Sequence, residues 1–120
     1  TWESLQLASA ESLTNLKVIV DINGMQVDGP MKEIMPIEPI GDKFAAFGWQ
    51  VFEVDGNDVD AITAACKKAQ RSDKPVAILC RTKPWTGFTF LKKRWDDKKL
   101  HFIRLTESER EGLEKEIAAS

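Results

Sequence analysis

Tyrosine is absent from the 120 residues, histidine occurs once, and the two cysteines, Cys66 and Cys80, lack CxxC spacing. These shortages argue against a redox motif or a zinc cluster. Both cysteines fall in apolar stretches, Ala64-Ala65-Cys66 and Ile78-Leu79-Cys80, and are expected to serve as small buried hydrophobes. No apolar run approaches the ~20 residues of a membrane span, and no basic segment followed by an apolar one opens the chain, so it reads as cytoplasmic. Charge of one sign is missing as well: 17 Lys and Arg stand against 19 Asp and Glu, a net charge of -2. Without a sequence-wide basic field, neither nucleic acid nor membrane is an expected partner, and a phosphate ligand would need a local site.

What is present is ordinary for one soluble domain: 42% apolar and 30% charged residues over residues 1–120, enough for one core. The chain begins Thr1-Trp2-Glu3-Ser4 without an initiator Met, which is expected of a processed chain or a piece of a longer one. Trp2, Leu5, Leu7, Ala8 and Leu13 stand near helical spacing over residues 1–13. The short β-branched run Leu16 to Asp21 reads as a buried parallel strand. Gln26 to Gly41 holds three of the five prolines and is expected to be a loop lying over the fold. A helix from Asp42 to Phe47 ends at Gly48, and a strand follows over Gln50 to Val54.

After the turn Asp55-Gly56, Asn57 or Asp58 can cap a helix from Val59 to Gln70, with Val59, Ile62, Ala65, Cys66 and Ala69 on one face. Asp55 to Asp58 looks like a calcium loop only superficially, since a turn plus a cap explains it. Val76 to Arg81 supplies the next strand. Strand, helix, strand, helix, strand predicts an α/β fold, a parallel sheet with flanking helices. Residues 82–105 are richer in aromatic and basic side chains, and Lys92-Lys93-Arg94-Trp95 reads as a surface loop. Thr106 and Glu109 form a capping box for a last, charged helix, in which Leu113 and Ile117 make an apolar pair.

Ligands of parallel sheets gather beyond the carboxyl ends of the strands, here residues 21–29, 55–58 and 82–87. The first is the richest: Asp21-Ile22-Asn23-Gly24-Met25-Gln26-Val27-Asp28-Gly29 leaves its strand with two carboxylates, an amide and two glycines. A strand-to-loop turn in which Asn23 bonds its own backbone accounts for that spacing. An EF-hand is excluded, because Ile22, Met25 and Val27 stand where oxygen ligands should alternate. A dinucleotide-binding reading is weak, because no GxGxxG follows the first strand.

Residues 15–29 also resemble the second half of the thiamine diphosphate motif of transketolases, the pattern NL..IVD.NG.Q.DG. Ile37-Glu38-Pro39-Ile40, Phe44 to Trp49, Val54 to Asp58 and Arg81-Thr82-Lys83 follow in the order and spacing of transketolase N-terminal subunits, with Trp2-Glu3 matching the helix before them. The similarity is good over 1–83 and loose over 84–120. It implies a domain that holds thiamine diphosphate and Mg2+ in an enzyme moving a two-carbon ketol unit from a ketose phosphate to an aldose. By that resemblance Asn23 gives Mg2+ its side-chain oxygen, Met25 its backbone carbonyl, and Val27 packs on the cofactor rings. Glu3 matches a Glu in a carboxylate network between cofactor sites. His101 corresponds to a His that reaches toward cofactor and substrate, although it stands in Leu100-His101-Phe102 without the Gly that follows it in the family.

Other family features are absent. The chain carries no Gly-Asp-Gly sequence, which in the family stands upstream of the Asn and supplies a metal carboxylate. The Glu that activates the aminopyrimidine comes from a different domain. Pro84-Trp85-Thr86-Gly87 replaces the common KGKG. The resemblance therefore implies a subunit or fragment that completes a thiamine diphosphate site with partner chains supplying the upstream half and the pyrimidine-binding domain. The other expectation is a non-catalytic protein-binding module derived from a transketolase, using its sheet edge and aromatic segment.

Overall fold

Val76, Ala77, Ile78, Leu79 and Cys80 are all buried, and a continuous apolar run of this kind can only be the middle strand of a sheet covered on both faces. In the computed structural model, which describes residues 1–27, 29–98 and 104–119, this strand is β5 (Val76–Arg81). It lies between β1 (Lys17–Ile22) and β4 (Gln50–Asp55), both parallel to it, in the order β1-β5-β4. The register aligns the three carboxyl ends, with Ile22 and Asp55 both opposite Arg81. A two-residue hairpin, β2 (Met25–Gln26) with β3 (Gly29–Pro30), follows β1 directly.

One face is covered by α1 (Trp2–Ala10) and α3 (Ile40–Ala46). Leu5, Ala8, Ile40, Phe44 and Trp49 pack there against Ile22, Ala77 and Leu79. The Trp49 indole N–H donates to the Leu5 carbonyl at 2.9 Å, so this buried ring is satisfied while it joins helix to sheet. The other face is covered by α4 (Val59–Ala69), whose Ala65 and Ala69 are small enough to seat it closely on Val76, Ile78 and Cys80. Asp58 caps α4, accepting from the Asp60 and Ala61 N–H groups at 2.9 and 3.0 Å. Two further helices close the chain, α5 (Thr89–Asp96) and α6 (Glu107–Ala118), the latter begun by the Thr106 and Glu109 capping box.

The expected α/β fold with a parallel sheet is present, and several local readings need correction. Helix α3 begins two residues before Asp42, because the Glu38 carboxylate accepts the Ile40 N–H at 2.9 Å, with Pro39 extended at the N-cap where no donor is needed, and it ends at Ala46, one residue before Phe47. Helix α4 ends one residue before Gln70, and Val59 is 75% exposed, since it stands in the first turn ahead of the residues that reach the sheet. The segment 26–41 holds the hairpin and a one-turn helix, α2 (Met31–Ile34). Lys92 to Trp95 lie in α5 and are not a loop, held by Trp95 against Trp85 and by Arg94 against Glu109. Cys80 is buried as expected, whereas Cys66 is only half-buried. Among the described residues, no helix is long and apolar enough to cross a membrane.

Candidate functional site

The end of β1 carries the densest polar arrangement. The Asn23 side chain turns back, its Oδ1 accepting the Met25 N–H at 2.9 Å and its Nδ2 donating to an Asp21 carboxylate oxygen at 3.2 Å. Gly24 sits at φ 75°, a conformation that glycine takes without a Cβ penalty, and this reverses the chain into the hairpin. The Met31 N–H donates to the Gly24 carbonyl at 2.9 Å, so the next position, Met25 opposite Pro30, is a non-hydrogen-bonded pair. The Met25 carbonyl therefore turns away from Pro30, toward the edge where its N–H meets Asn23. Val27, at the hairpin tip, is 56% exposed.

The other strand ends are tied to this turn. The Thr82 N–H continues the ladder to the Ile22 carbonyl at 3.1 Å, and its hydroxyl donates to Asp21. The Asn57 Oδ1 accepts the Lys83 N–H at 2.7 Å, while the Asp55 carboxylate accepts the Asn57 N–H at 2.9 Å. Arg81 pairs with Glu38 at 2.6 Å and also with Glu53. The Arg81 guanidinium holds the Glu38 carboxyl below its ordinary pKa, helped by the Ile40 N–H, and the hydrogen bonds that Arg81 donates to Glu38 and then to Glu53 raise its own pKa. A shallow cleft of about 320 Å³ lies beside this group, lined by Glu53, Val54, Asp55, Arg81 and Lys83.

The three sequence regions singled out at 21–29, 55–58 and 82–87 thus meet on one rim. Of the individual candidates, Asn23, Met25 and Val27 lie on or beside the β1 turn. Glu3 lies in the first turn of α1 with its side chain 92% exposed, and no hydrogen bond or ion pair joins it to Asn23. Its carboxyl pKa is lowered, first by its own backbone N–H and then by the Thr1 ammonium. His101 lies outside the described residues. Burial raises the Cys80 thiol pKa, in keeping with a packing role.

One residue at the site escapes sequence reasoning. The Trp95 indole stands 4.0 Å from where a Cβ on Gly24 would lie, so α5 passes over the Asn23 turn. Lys98, just beyond α5, pairs with Glu33 of α2 at 3.1 Å and fastens the helix there. Among the described residues, no group of three or more His, Cys, Asp or Glu side chains is placed to hold a metal ion. An amide oxygen and a main-chain carbonyl, the oxygens this turn carries, are hard neutral donors, the type that Mg2+ takes and a soft metal does not.

A parallel α/β sheet whose chemistry gathers on one carboxyl-end rim belongs to the large class of doubly wound ligand-binding folds. Comparison with known proteins narrows this to a family: the model for the transketolase thiamine diphosphate binding domain matches residues 1–115, and the chain belongs to that family. It is 43% identical over 111 residues, 91% of the chain, to an uncharacterized transketolase family protein of Sinorhizobium fredii. It is 38% identical over 107 residues, 88% of the chain, to a 6-deoxy-6-sulfo-D-fructose transketolase subunit of a Clostridium species. The chain spans 39% and 38% of the lengths of these two relatives. The fold is similar to that of the Leishmania mexicana transketolase, at a TM-score of 0.66 and 22% identity over 98% of this chain and 20% of that one.

Proposed function

We propose that this chain is the later part of the diphosphate-binding domain of a transketolase-like enzyme, acting in the cytoplasm. In assembly with chains supplying the upstream half and the pyrimidine-binding domain, it binds Mg2+ and thiamine diphosphate and transfers a two-carbon ketol unit from a ketose phosphate to an aldose. The observation that carries the reading is the Asn23 turn, which presents an amide oxygen and turns a main-chain carbonyl to the same edge, within a sequence belonging to the family.

The residues present fit the group. Mg2+ takes about six oxygens, of which Asn23 and Met25 would offer two, leaving the rest to the diphosphate, water and a carboxylate from outside residues 1–120. Val27, exposed at the hairpin tip, would give the cofactor an apolar surface. Thiamine diphosphate, when bound, supplies the carbanion-stabilising centre at which a carbon–carbon bond is broken and made. This chain's part is placement: the turn orients the oxygens, and the Trp95 ring stands beside Gly24 of the same turn. Glu3, exposed at the start of α1, is assigned to the carboxylate network between cofactor sites, and His101 to contact with cofactor and substrate.

The test is reconstitution. The chain should co-purify with a polypeptide bearing the Gly-Asp-Gly half, visible in the native mass of the complex, and the complex should catalyse ketol transfer that Asn23→Ala abolishes. A stable chain that recruits no such partner and shows no cofactor-dependent activity would favour the protein-binding module instead.

A further inference from the structure

The Asn23 amide has two ends of opposite character, and only one presentation of them offers an oxygen to a cation. Its nitrogen end is fixed by Asp21, which accepts from Nδ2 at 3.2 Å, and its oxygen end by the Met25 N–H at 2.9 Å. Asp21 is in turn fixed from the neighbouring strand, because its other carboxylate oxygen accepts the Thr82 hydroxyl. Thr82 has little freedom to choose another partner. Its methyl group faces Gly56 so closely that a Cβ there would stand 2.4 Å from it, a separation that atoms do not tolerate. A β-branched side chain has few χ1 wells, and a methyl lodged against Gly56 leaves the hydroxyl turned toward Asp21.

From this geometry we infer that Gly56, Thr82 and Asp21 form a relay across the carboxyl ends of β4, β5 and β1 that positions the Asn23 amide with its oxygen toward the metal. The inference rests on the functional reading above and deepens it: Asp21 and Thr82 are positioning residues that touch neither metal nor cofactor. The relay also explains two sequence features that packing alone leaves open. Gly56 is required by the close approach of Thr82, not by its backbone angle. Thr82, rather than a purely apolar residue, follows β5 because its hydroxyl crosses to β1 where its own N–H bonds the Ile22 carbonyl. Partners that orient a metal ligand in this way are commonly worth 10–100-fold in metal affinity.

The experiment is a Mg2+ titration of thiamine diphosphate binding to the assembled enzyme, read by tryptophan fluorescence and accompanied by melting curves. Thr82→Val keeps the side-chain shape and removes the hydroxyl. It should weaken the apparent Mg2+ affinity by roughly 10-fold, with the melting temperature little changed, and Thr82→Ser should restore binding. Asp21→Ala should weaken Mg2+ at least as much. If Asn23→Ala abolishes Mg2+-dependent binding while Thr82→Val and Asp21→Ala leave it at the native level, the relay is overturned and the functional reading survives. If Asn23→Ala itself changes nothing, the functional reading fails first. Equal weakening by Thr82→Ser and Thr82→Val would show that shape, not the hydroxyl, is what matters, and would also overturn the relay.

Discussion

Strands β5 and β1 run side by side with similar composition, yet they live in different surroundings. β5 is buried from Val76 to Cys80 under helices on both faces, whereas β1 is an edge strand with Ile19 61% exposed on the side that α4 does not reach. The buried strand carries stability and the edge strand carries the polar turn. The densest polar arrangement thus lies at an edge of the sheet, and the enclosed strand reaches it through the Thr82 hydroxyl.

The sharpest way to break this comparison is to truncate matching side chains on the two strands. Leu79→Ala should cost about 2–5 kcal/mol in denaturant unfolding, because it opens a cavity in a closed core, while Ile19→Ala should stay within about 0.5 kcal/mol. Equal losses would mean that the edge is as enclosed as the centre. Gly56→Ala comes next. The added Cβ must displace Thr82 or Cys80, and overpacking of this kind costs about 1–3 kcal/mol. Asp58→Ala removes the α4 cap and should lower stability by about 1 kcal/mol, measured the same way, without touching the Asn23 turn.

The smallest effect concerns acid. Folding lowers the pKa of Glu38, so its contribution to stability is present above the unfolded pKa and is lost as pH falls through the folded value. Both partners are exposed enough for solvent to screen the pair, so the effect should be modest. Melting curves of Glu38→Gln should show less loss of stability than the native protein as pH drops below the ordinary glutamate range, and the two should differ most near neutrality.

Local patterns were legible where one stretch of chain settles its own structure. The β5 run is bounded by Pro75 and its apolar content, the α6 start by Thr106 and Glu109, and both are found where the residues place them. The motif in residues 15–29 located the turn. The sequence did not disclose α5, because Lys92-Lys93-Arg94-Trp95 has no apolar period of its own and the helix is fastened by Trp85 and Glu109 from outside. Nor did it show the hairpin inside the proline-rich segment, where two residues pair with two and the Met31 to Gly24 bond closes the turn. The Thr82 to Asp21 bond joins residues 61 apart, and no local signal announces it.

The central claim is that the Asn23 turn helps to hold a metal and a diphosphate. Isothermal titration of the assembled enzyme with thiamine diphosphate, with and without Mg2+, measures this most directly for the native protein and for Asn23→Ala. Binding should depend on Mg2+ in the native complex and be lost in Asn23→Ala while the complex stays assembled. Undiminished Mg2+-dependent binding by Asn23→Ala would contradict it.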